Sequence, residues 1–574
     1  MRLDSRIAVY CHEFLHKKYA PNSFPDLKPD DPNEVVEEFK KQGFVHENRA
    51  IKALTESIPG LIVIDQSLHS SEIQIETAKA LLNPEAFVIV GGYISEITEK
   101  DLAGALGKPL NPSNRASRPD VMVRVGMRSD GIPAWAPVDI KSHKAITVNQ
   151  TNTVFLSNFE KILPETSNSQ KGRLNTEDLH QLAHYTRHFQ ALGIESDDLW
   201  VGIIGREIGE CVWARLGDVV EGTGRNSTSF LSSHDQDFAK AVEIIELSTA
   251  ENADPAHKSG VIPVLSSGKM GCSACMFKST CLSEMKTFDN GNGHVTLLAG
   301  VTPSTALKNF PEIQSIRELV EASPKNDQMI SAQIRARVWM TGVPEILNPS
   351  EEILIPEADI EIDIDLENSM EALRESEIDE PMGIDRLYLY GFGIHDRTVS
   401  KDWRTAIIET YSDYSNTEEG EYLVLSQMWN RLQDEIMKAE SAGKSIKIFH
   451  YSPHEYSWWK KYSKRYADRP GVPTEDQLEL FKFNYLVDLL PIARKFSFPT
   501  MSYSIKDLAP LAGFEWEVDK AGGANSLLKF RSASDPLAPA NVREEAIAWL
   551  DSYNRDDVRA TFAVRAYIRG MEKS

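Results

Sequence analysis

The amino-acid sequence predicts a multidomain α/β protein. A chain of 574 residues is too long for a single hydrophobic core, so two or three domains are expected. Helical and strand-like patterns alternate up to about residue 290 and again from about residue 350. The segment between them shows only short helical patterns separated by turn residues. We therefore predict α/β domains at residues 1–290 and 350–574, joined by a helical connector at 291–349.

In the first predicted domain, a long helical pattern precedes three strand-like stretches. The helix is VVEEFKKQGFVHENRAIKALTE, and the strands are AFVIVGGYI, DVMVRVG and AWAPVDIK. A second helical pattern, EDLHQLAHYTRHFQALG, follows them. Residues 249–270 are rich in Ala, Ser, Pro and Gly, which predicts a loop.

The connector and the last domain continue this alternation. The connector segment VTLLAGVTPSTALKNFPEIQSIRELVEA is weakly similar to a helix-hairpin-helix DNA-backbone binder, but it lacks the Gly-hydrophobic-Gly hairpin. A plain helical connector is therefore the preferred interpretation. In the last domain, IEIDIDLE, RLYLYGFGI and SIKIFHY are predicted strands, whereas SQMWNRLQDEIMKAESA and EEAIAWLDSYNRDDVRATFAVRAYI are predicted helices.

The net charge of −23 first argues against a nucleic-acid partner, because DNA binding usually needs a basic face. The charge is unevenly distributed, however, since residues 345–381 contain fourteen acidic residues and one basic residue, Arg374. Acidic clusters also hold the cations that phosphate chemistry requires. The net charge therefore neither supports nor excludes binding to DNA.

Hydropathy gives no indication of a membrane partner. No apolar run reaches the roughly 18 residues that are needed to cross a bilayer. The N-terminal sequence MRLDSRIAVYCHEFLHKKY lacks the continuous apolar core of a signal peptide. We therefore expect a cytoplasmic protein.

Three of the five cysteines are clustered in GCSACMFKSTC, as Cys272, Cys275 and Cys281. Cysteines of a cytoplasmic protein are not expected to form disulfides, so the C-x2-C-x5-C spacing indicates a metal or cluster site. Three thiolates leave such a site one ligand short. The other two cysteines, Cys11 and Cys211, compete for the fourth place.

A first acidic constellation lies in the strand-like part of the N-terminal domain. RPDVMVRVG places Asp120 at the start of a strand, and VDIKSHK places Asp139 and Lys141 on the next one. Residues two apart in a strand point to the same face, so Asp139 and Lys141 are expected to address one site. The intervening GMRSDGIPAW predicts a hairpin turn that brings Asp120 alongside. Nuclease centres hold divalent cations between carboxylates and use a lysine to orient or activate water. A D-x-K strand by itself is more often only an exposed strand with alternating charge.

With two further motifs, this constellation resembles the RecB-like family of PD-(D/E)XK nucleases, which have a restriction-endonuclease-like α/β core. That family has an early G-x-x-h-E element on a helix, Pro-Asp and (D/E)-x-K strands, and a later helix with Q-x3-Y. The matching residues are Gly43, His46 and Glu47 in QGFVHENRA, Asp120, Asp139 and Lys141 in the strands, and Gln181 and Tyr185 in HQLAHYTRH.

The resemblance implies a role for each matched residue. It implies His46, Asp120 and Asp139 as ligands of Mg²⁺ or Mn²⁺, with Lys141 as the catalytic lysine. It implies supporting or strand-contacting roles for Glu47, Gln181 and Tyr185.

The same resemblance bears on the cysteines. Several members of the family carry one cysteine far upstream of the nuclease core and three downstream, and these ligate a 4Fe-4S cluster. Cys11 with Cys272, Cys275 and Cys281 fits that arrangement, whereas Cys211 lies in a predicted strand where a buried cysteine is the usual explanation. The resemblance thus implies a cluster that ties the two ends of the domain together. Structural zinc is the alternative, because four cysteines also bind zinc.

A second acidic constellation lies in the C-terminal domain. Its members are Asp365 and Glu367 in IDIDLEN, Glu455 in FHYSPHEY, Asp488 in NYLVDLLP, and Tyr553 and Asp557 in SYNRDDVRA. The order resembles the DEDDy branch of RNase H-like 3′–5′ exonucleases, in which two metals bind between D-x-E and the last Asp while Tyr helps to position water. The chain departs from this pattern at Glu455, where an Asp is expected, and Asp363 could compete for the first position.

The three predicted regions together resemble a known family of RecB-like nucleases, some members of which continue into a superfamily 1 helicase. No Walker A motif occurs in this sequence, so any helicase partner would be a separate protein. We predict a metal-dependent DNA nuclease, acting as an exonuclease or on single strands or flaps, in DNA repair or in defence against foreign DNA. The alternative is a non-catalytic nucleic-acid-binding scaffold with relic sites. The complete set of Asp120, Asp139 and Lys141 favours the enzyme and predicts that the N-terminal site carries most of the activity.

A basic, aromatic run, EYSWWKKYSKRYADRP, begins at Glu455. Its interleaved aromatic and basic residues would suit a single strand by stacking and phosphate contact. An amphipathic helix with buried aromatic residues fits the same pattern equally well.

Overall fold

The structure is a computed structural model in which the chain forms two compact units, Met1–Cys281 and Leu282–Ser574. It describes residues 2–31, 34–109, 113–146, 151–221, 227–254, 272, 275–351, 353–369 and 385–572. The predicted connector, residues 291–349, lies within the second unit. None of the helices in the described ranges is long and apolar enough to span a membrane. The predicted multidomain α/β architecture is confirmed.

The first unit is built on a mixed sheet. Its helices are α1 (His12–Tyr19), α2 (Glu34–Ser57), α3 (Ser70–Leu82), α4 (Glu96–Leu106), α5 (Thr176–Leu192) and α6 (Phe230–Ala253). Its strands are β1 (Ile62–Val63), β2 (Val88–Val90), β3 (Val121–Met127), β4 (Pro133–Ile140), β5 (Thr153–Asn158), β6 (Ser169–Lys171), β7 (Trp200–Ile204), β8 (Glu210–Arg215), β9 (Val220–Glu221) and β10 (Thr228–Ser229). Eight of these strands form one sheet in the order β1-β2-β3-β4-β7-β8-β5-β6, and β9 pairs with β10.

Both faces of this sheet are covered, which explains the nearly continuous apolar sequence of its central strands. On one face, Val121 and Val138 pack against Leu54 of α2. On the other face, Met122 and Trp135 belong to a core shared with α3, α4 and α5. β3 and β4 are antiparallel neighbours, as the predicted hairpin requires.

One sequence-based prediction is wrong in part, because residues 249–253 lie in α6 and not in a loop. Packing extends the helix, since buried Glu251 contacts His16 of α1 at 3.1 Å. The rest of the predicted loop, from residue 255 to 270, lies outside the described residues.

The second unit combines short helices with a five-stranded sheet. Its helices are α8 (Pro303–Asn309), α9 (Ile316–Glu321), α10 (Asp327–Thr341), α11 (Glu418–Ser441), α12 (His454–Arg465), α13 (Glu475–Asn484), α14 (Leu489–Ala493), α15 (Ile505–Leu508), α16 (Gly523–Ser534) and α17 (Ala540–Glu572), and α7 (Lys278–Gly291) begins in the first unit and ends in the second. Its strands are β11 (Glu345–Ile346), β12 (Ile360–Asn368), β13 (Leu387–Asp396), β14 (Ile407–Ser412), β15 (Ile446–His450), β16 (Leu486–Asp488) and β17 (Phe496–Ser497).

The large sheet has the order β14-β13-β12-β15-β16. β12, β13 and β14 form antiparallel pairs, whereas β15 runs parallel to β12 and β16 parallel to β15. Alternation along β12 separates two kinds of side chain. Its isoleucines pack into a core with α11, α12 and α13, while Asp363 and Asp365 make polar contacts with side chains of α17. The acidic residues of β12 therefore meet the last long helix of the chain.

Candidate active site

Three carboxylates gather where β12 meets α17. Asp365 and Glu367 come from β12, and Asp557 comes from α17. One oxygen atom from each lies within 4.8 Å of the others, and among the described residues this is the only such group of three potential metal ligands. Asp365 is half-buried, and the other two are buried. These are three of the residues that the D-x-E and Y-x3-D motifs predicted.

Each carboxylate of this acidic triad is oriented by a neighbouring donor. Nδ2 of Asn554 donates to Asp365 over 2.8 Å, Oγ of Ser526 donates to Glu367 over 2.7 Å, and Nε1 of Trp516 donates to Asp557 over 2.6 Å. The ammonium of Lys506 also donates to Asp557. Pattern reading of the sequence missed all four donors, because each belongs to no motif and meets its partner only through folding.

The electrostatics of the triad favour a bound cation. Burial, together with the charges of Asp557 and Glu367, raises the pKa of Asp365 well above its usual range. Burial and the charge of Asp557 likewise raise the pKa of Glu367 to about 8. Close carboxylates resist ionising together unless a positive charge lies between them. A divalent cation would supply that charge, and carboxylate oxygens are the ligands that Mg²⁺ and Mn²⁺ prefer.

Tyr553 lies one helical turn before Asp557 and is buried. Its ring stacks on that of Trp549 with centroids 5.1 Å apart, and Nζ of Lys506 lies 4.4 Å from its centroid. Burial and then the charges of Glu367, Asp557 and Asp365 raise its pKa. Its hydroxyl therefore stays protonated and can donate a hydrogen bond beside the triad.

Two other predicted members lie outside the triad. Glu455 is buried, and one of its oxygens lies 3.1 Å from Nδ1 of His450. Its charge reaches the site, because it helps to raise the pKa of Asp365. Asp488 instead caps α14, with Oδ1 accepting hydrogen bonds of 3.0 Å from the backbone N–H groups of Leu490 and Ser452. Asp488 is therefore a helix cap in this structure, and its place in the site stays a prediction.

Asp363 does not compete with Asp365 for the first position. It is fully buried and forms an ion pair with Arg565 of α17. The same guanidinium also pairs with Glu361, so it stabilises two inward-facing carboxylates of β12. Asp363 thus serves the fold.

In the first unit, several of the predicted nuclease residues contact one another, but the ligand atoms of His46, Asp120 and Asp139 do not all lie within 4.8 Å of one another. Asp139 is fully buried on β4, and Oδ2 of Asp120 accepts a 2.7 Å hydrogen bond from the backbone N–H of Ile140. Nζ of Lys141 lies 3.2 Å from Oδ2 of Asp139 and 3.9 Å from Oδ1 of Asp178. Lys141 therefore lies among carboxylates, and Asp178 is a neighbour that no sequence motif indicated.

The Q-x3-Y residues hold this lysine in place. Nζ of Lys141 donates to Oε1 of Gln181 over 2.8 Å, and Nε2 of Gln181 donates to the hydroxyl of Tyr185 over 2.8 Å. That hydroxyl donates to the backbone carbonyl of Arg118 over 3.0 Å, two residues before Asp120. Gln181 and Tyr185 thus connect the lysine that follows β4 to the segment that precedes β3.

The remaining two residues of the N-terminal set lie on α2. Burial raises the pKa of half-buried Glu47, and the charge of Asp139 raises it further. His46 is fully buried, with Nε2 3.1 Å from the carbonyl of Gly205 and Nδ1 without a hydrogen-bond partner. Burial also lowers the pKa of His46, so its ring is neutral and Nδ1 could accept a bond from a metal.

Burial also raises the pKa of both aspartates of the N-terminal set, and in Asp120 the charge of Asp139 contributes as well. Burial and the neighbouring carboxylates shift the pKa of Lys141 in opposite directions. Burial by itself lowers its pKa, but Asp139, Asp178 and Asp120 raise it overall. The ammonium is therefore charged and partly neutralises this site.

Three of the four cysteines predicted as cluster ligands lie in one part of the first unit, although the described residues include no three cysteines with sulfur atoms all within 4.8 Å of one another. Burial, with the neighbouring Cys275 and Cys272, raises the pKa of Cys11 to about 11. Cys11, Cys275 and Cys281 pack against one apolar cluster that includes Phe14 and Phe277. Cys211 lies instead in the buried core on β8.

The basic, aromatic run forms α12. Trp458, Trp459, Tyr462 and Tyr466 are all buried, at no more than 2% exposure, within the core against β12 and α11. They therefore cannot stack on nucleic-acid bases, and the amphipathic-helix interpretation is confirmed.

Residues 388–569 match the family model described as RNase_H superfamily. The match covers β13 through most of α17 and includes Tyr553 and Asp557, while β12 precedes it. No curated protein and no solved structure gives a significant match to the chain. The C-terminal region therefore carries an RNase H-like domain, which confirms this part of the predicted fold and indicates a nuclease-like, nucleic-acid-processing function.

Proposed function

We propose that this protein is a nuclease that hydrolyses phosphodiester bonds with the help of Mg²⁺ or Mn²⁺. The observation that carries the proposal is the acidic triad of Asp365, Glu367 and Asp557, at the edge of a region that matches the RNase H superfamily. Buried carboxylates with raised pKa values are typical of sites that bind a cation or a proton.

The donor set fits divalent cations, because all three side chains offer oxygen atoms and their mutual repulsion needs compensation. When bound, such metals activate water and stabilise the charge that develops on the phosphate. Asn554 and Ser526 hold Asp365 and Glu367 in fixed orientations for ligation.

Two side chains beside the triad, Tyr553 and Lys506, can assist the hydrolysis directly. The protonated hydroxyl of Tyr553 can orient the attacking water by a hydrogen bond. The ammonium of Lys506 adds positive charge next to Asp557, where a negative phosphate would approach.

The first unit is proposed to be a second, RecB-like nuclease centre. Its support is the contact network from Tyr185 through Gln181 to Lys141 and Asp139, which joins the Q-x3-Y motif to the (D/E)-x-K motif. His46, Asp120 and Asp139 are the proposed metal ligands there, although their ligand atoms do not all lie within 4.8 Å of one another as those of the acidic triad do. Lys141 would orient water, as its position among carboxylates allows.

We also propose a second cofactor, a substrate and a pathway. Cys11, Cys272, Cys275 and Cys281 are proposed to ligate a 4Fe-4S cluster, with zinc as the alternative. DNA is the proposed substrate, in repair or in defence against foreign DNA, with a separate superfamily 1 helicase as partner.

A second candidate function is nucleic-acid binding without cleavage. The observation that favours it is the contact of Lys506 with Asp557, which places a fixed positive charge at the triad. If Lys506 permanently takes the place of a metal, the second unit would bind but not cut.

The test is cleavage of end-labelled single- and double-stranded DNA and RNA with Mg²⁺, Mn²⁺ or EDTA. Asp365→Asn should abolish the end-dependent release of nucleotides. Asp551→Asn is the matched control, because Asp551 lies on α17 with Asp557 but pairs with Arg555 and Thr410 outside the triad. Metal-independent cleavage, or equal loss in both variants, would contradict the proposal. Binding of nucleic acid with no cleavage by any variant would favour the second candidate.

A further inference from the structure

We infer that a pocket beside the acidic triad binds a phosphate group of the nucleic-acid strand, an inference that rests on the proposed nuclease function. The pocket has a volume of about 690 Å³. We call it the arginine pocket, and its polar lining includes Arg335, Tyr451, Arg494, Ser502, Tyr503 and Ser504. Its volume is within the range of about 300–1,000 Å³ that is typical of small-ligand sites.

The arginine pocket contains two arginines that have no ion-pair partner among the described residues, while the carboxylates of Asp488 and Asp507 accept hydrogen bonds from its lining residues Ser452 and Ser502. Arg335 lies on α10 and Arg494 follows α14, and no carboxylate in the described parts of the chain forms an ion pair with either guanidinium. None of the described lining residues is acidic. By contrast, Arg337 on the same helix pairs with Glu345 at 3.3 Å. In a chain with net charge −23, two such arginines in one pocket point to an anionic ligand.

Arg335 is held in position and is not a freely moving surface side chain. It is half-buried and donates a hydrogen bond to the hydroxyl of Tyr503. Gly300 makes room for it, since a Cβ at this position would lie 3.3 Å from the guanidinium carbon. The hydroxyl of Tyr451 donates to the carbonyl of Tyr503 over 2.6 Å, which fixes the wall behind it. A preorganised donor loses less entropy on binding.

The pocket shares two chain segments with the triad. Tyr451 directly follows His450, the last residue of β15, whose side chain contacts Glu455. Ser504 lies two residues before Lys506, which pairs with Asp557. A strand with one phosphate at the triad would pass along these two segments and bring another of its phosphates to the arginine pocket.

The chemistry of the lining fits a phosphate group. A guanidinium binds two phosphate oxygens at once through its planar fork of N–H donors. The hydroxyl of Ser504 can donate to a phosphate oxygen, as serine hydroxyls commonly do in nucleic-acid complexes, whereas that of Ser502 already donates to Asp507. Either an internal phosphodiester or a terminal phosphate satisfies this chemistry, and the experiment separates the two.

The test measures binding of fluorescent single-stranded oligonucleotides to the full-length Asp365→Asn protein at several salt concentrations. The oligonucleotides carry a 5′-phosphate, a 3′-phosphate or neither. Arg335→Gln and Arg494→Gln should each weaken binding about tenfold and reduce the salt slope by about one phosphate contact. Arg335→Lys should fall between, because it keeps the charge but loses the planar fork.

Matched controls come from paired neighbours of each arginine. Arg337→Gln is on the same helix as Arg335 and pairs with Glu345, and Lys495→Gln adjoins Arg494 and pairs with Glu351. Both controls should change binding less than about twofold, since exposed ion pairs contribute little. Thermal unfolding of each variant checks that it is folded.

The outcomes separate the two sources of phosphate and the two hypotheses. Equal weakening for all three oligonucleotides identifies an internal phosphodiester, whereas loss of a preference for one phosphorylated end identifies a terminal phosphate. Pocket variants of the Asp365→Asn protein that bind like their controls, together with a wild-type protein that cleaves, would overturn this inference and leave the proposed function standing. A wild-type protein that binds no oligonucleotide would overturn both.

Discussion

The two acidic sites of this protein differ in how their charge is balanced. In the first unit, the ammonium of Lys141 lies 3.2 Å from Asp139 and 3.9 Å from Asp178, so a lysine already lies among the carboxylates. In the second unit, the ligand atoms of three carboxylates lie within 4.8 Å of one another, and Lys506 pairs with only one of them. Both sites thus have more carboxylates than lysines, but the lysine of the first lies between two carboxylates, whereas the lysine of the second pairs with one.

This difference shows that completeness of a motif and readiness to bind metal are separate properties. The N-terminal set matches its motif in full, whereas the C-terminal set has Glu455 where an Asp is expected. Yet the C-terminal set has the more closely gathered ligands among the described residues. A motif records which residue types are present, but charge balance depends on neighbours such as Asp178 that come from elsewhere in the chain.

The largest expected effect is a difference in the substrate that each of the two sites cleaves. Asp139→Asn should abolish cleavage of circular single-stranded DNA, which has no ends, and should remove most of the total activity. Asp557→Asn should abolish only the end-dependent release of nucleotides. Each loss should exceed about 100-fold, because even changes to partners of metal ligands cost about 10–100-fold. Normal digestion of ends by Asp139→Asn, with complete inactivity of Asp557→Asn, would reverse this ranking.

A second prediction asks whether the two sites depend on the cysteines to different degrees. Protein purified without oxygen should be brown, and Cys11→Ala should lose the visible absorption and the cleavage of circular DNA, because a cluster ligand stabilises the fold. End-dependent release should persist, since it belongs to the other unit. Cys211→Ala is the control, because Cys211 is buried in the core of β8 away from the other cysteines. A colourless protein with one bound zinc would reject the cluster and keep the site.

A third prediction concerns stability without metal. Glu367 has a pKa raised to about 8, so in EDTA its contribution to stability is fully present below its unfolded-state pKa of about 4.3 and is lost as the pH rises through 8. The melting temperature of the second unit should therefore fall between pH 5 and 9. Mg²⁺ or Mn²⁺ should restore it at high pH, because cation binding stabilises the folded state. In Glu367→Gln, both the fall of the melting temperature with pH and its restoration by metal should be smaller, as calorimetry would show. Identical plots of melting temperature against pH for the wild-type protein and Glu367→Gln would contradict this prediction.

The smallest expected effect is that of Asp488, a carboxylate that caps a helix and does not belong to the acidic triad. Asp488→Ala should lower the free energy of unfolding by about 1 kcal/mol, the usual cost of losing a helix cap. The metal-induced rise in melting temperature should remain, because the triad is intact. Urea unfolding with and without Mn²⁺ measures both quantities. Loss of the metal effect in Asp488→Ala would place this residue back among the ligands.

Local patterns in the sequence were sufficient for most of the fold and for the core of the candidate site. The alternation IEIDIDLE predicted both strand β12 and the shared face of Asp365 and Glu367, because side chains of a strand alternate strictly. The Y-x3-D spacing placed Tyr553 and Asp557 one turn apart on a helix for a similar reason. The aromatic run of α12, in contrast, fitted both a nucleic-acid-binding surface and a helix with buried aromatic residues, because the sequence pattern alone does not say which face is buried.

The sequence by itself determined which residues could carry chemistry, since residue type and periodicity are local properties. Tertiary structure decided which of them meet. Lys506, Asn554 and Arg335 contact their partners across many residues of chain, so no spacing could indicate them. It also decided that Asp488 caps a helix, because the direction of a carboxylate depends on the backbone donors that folding brings to it.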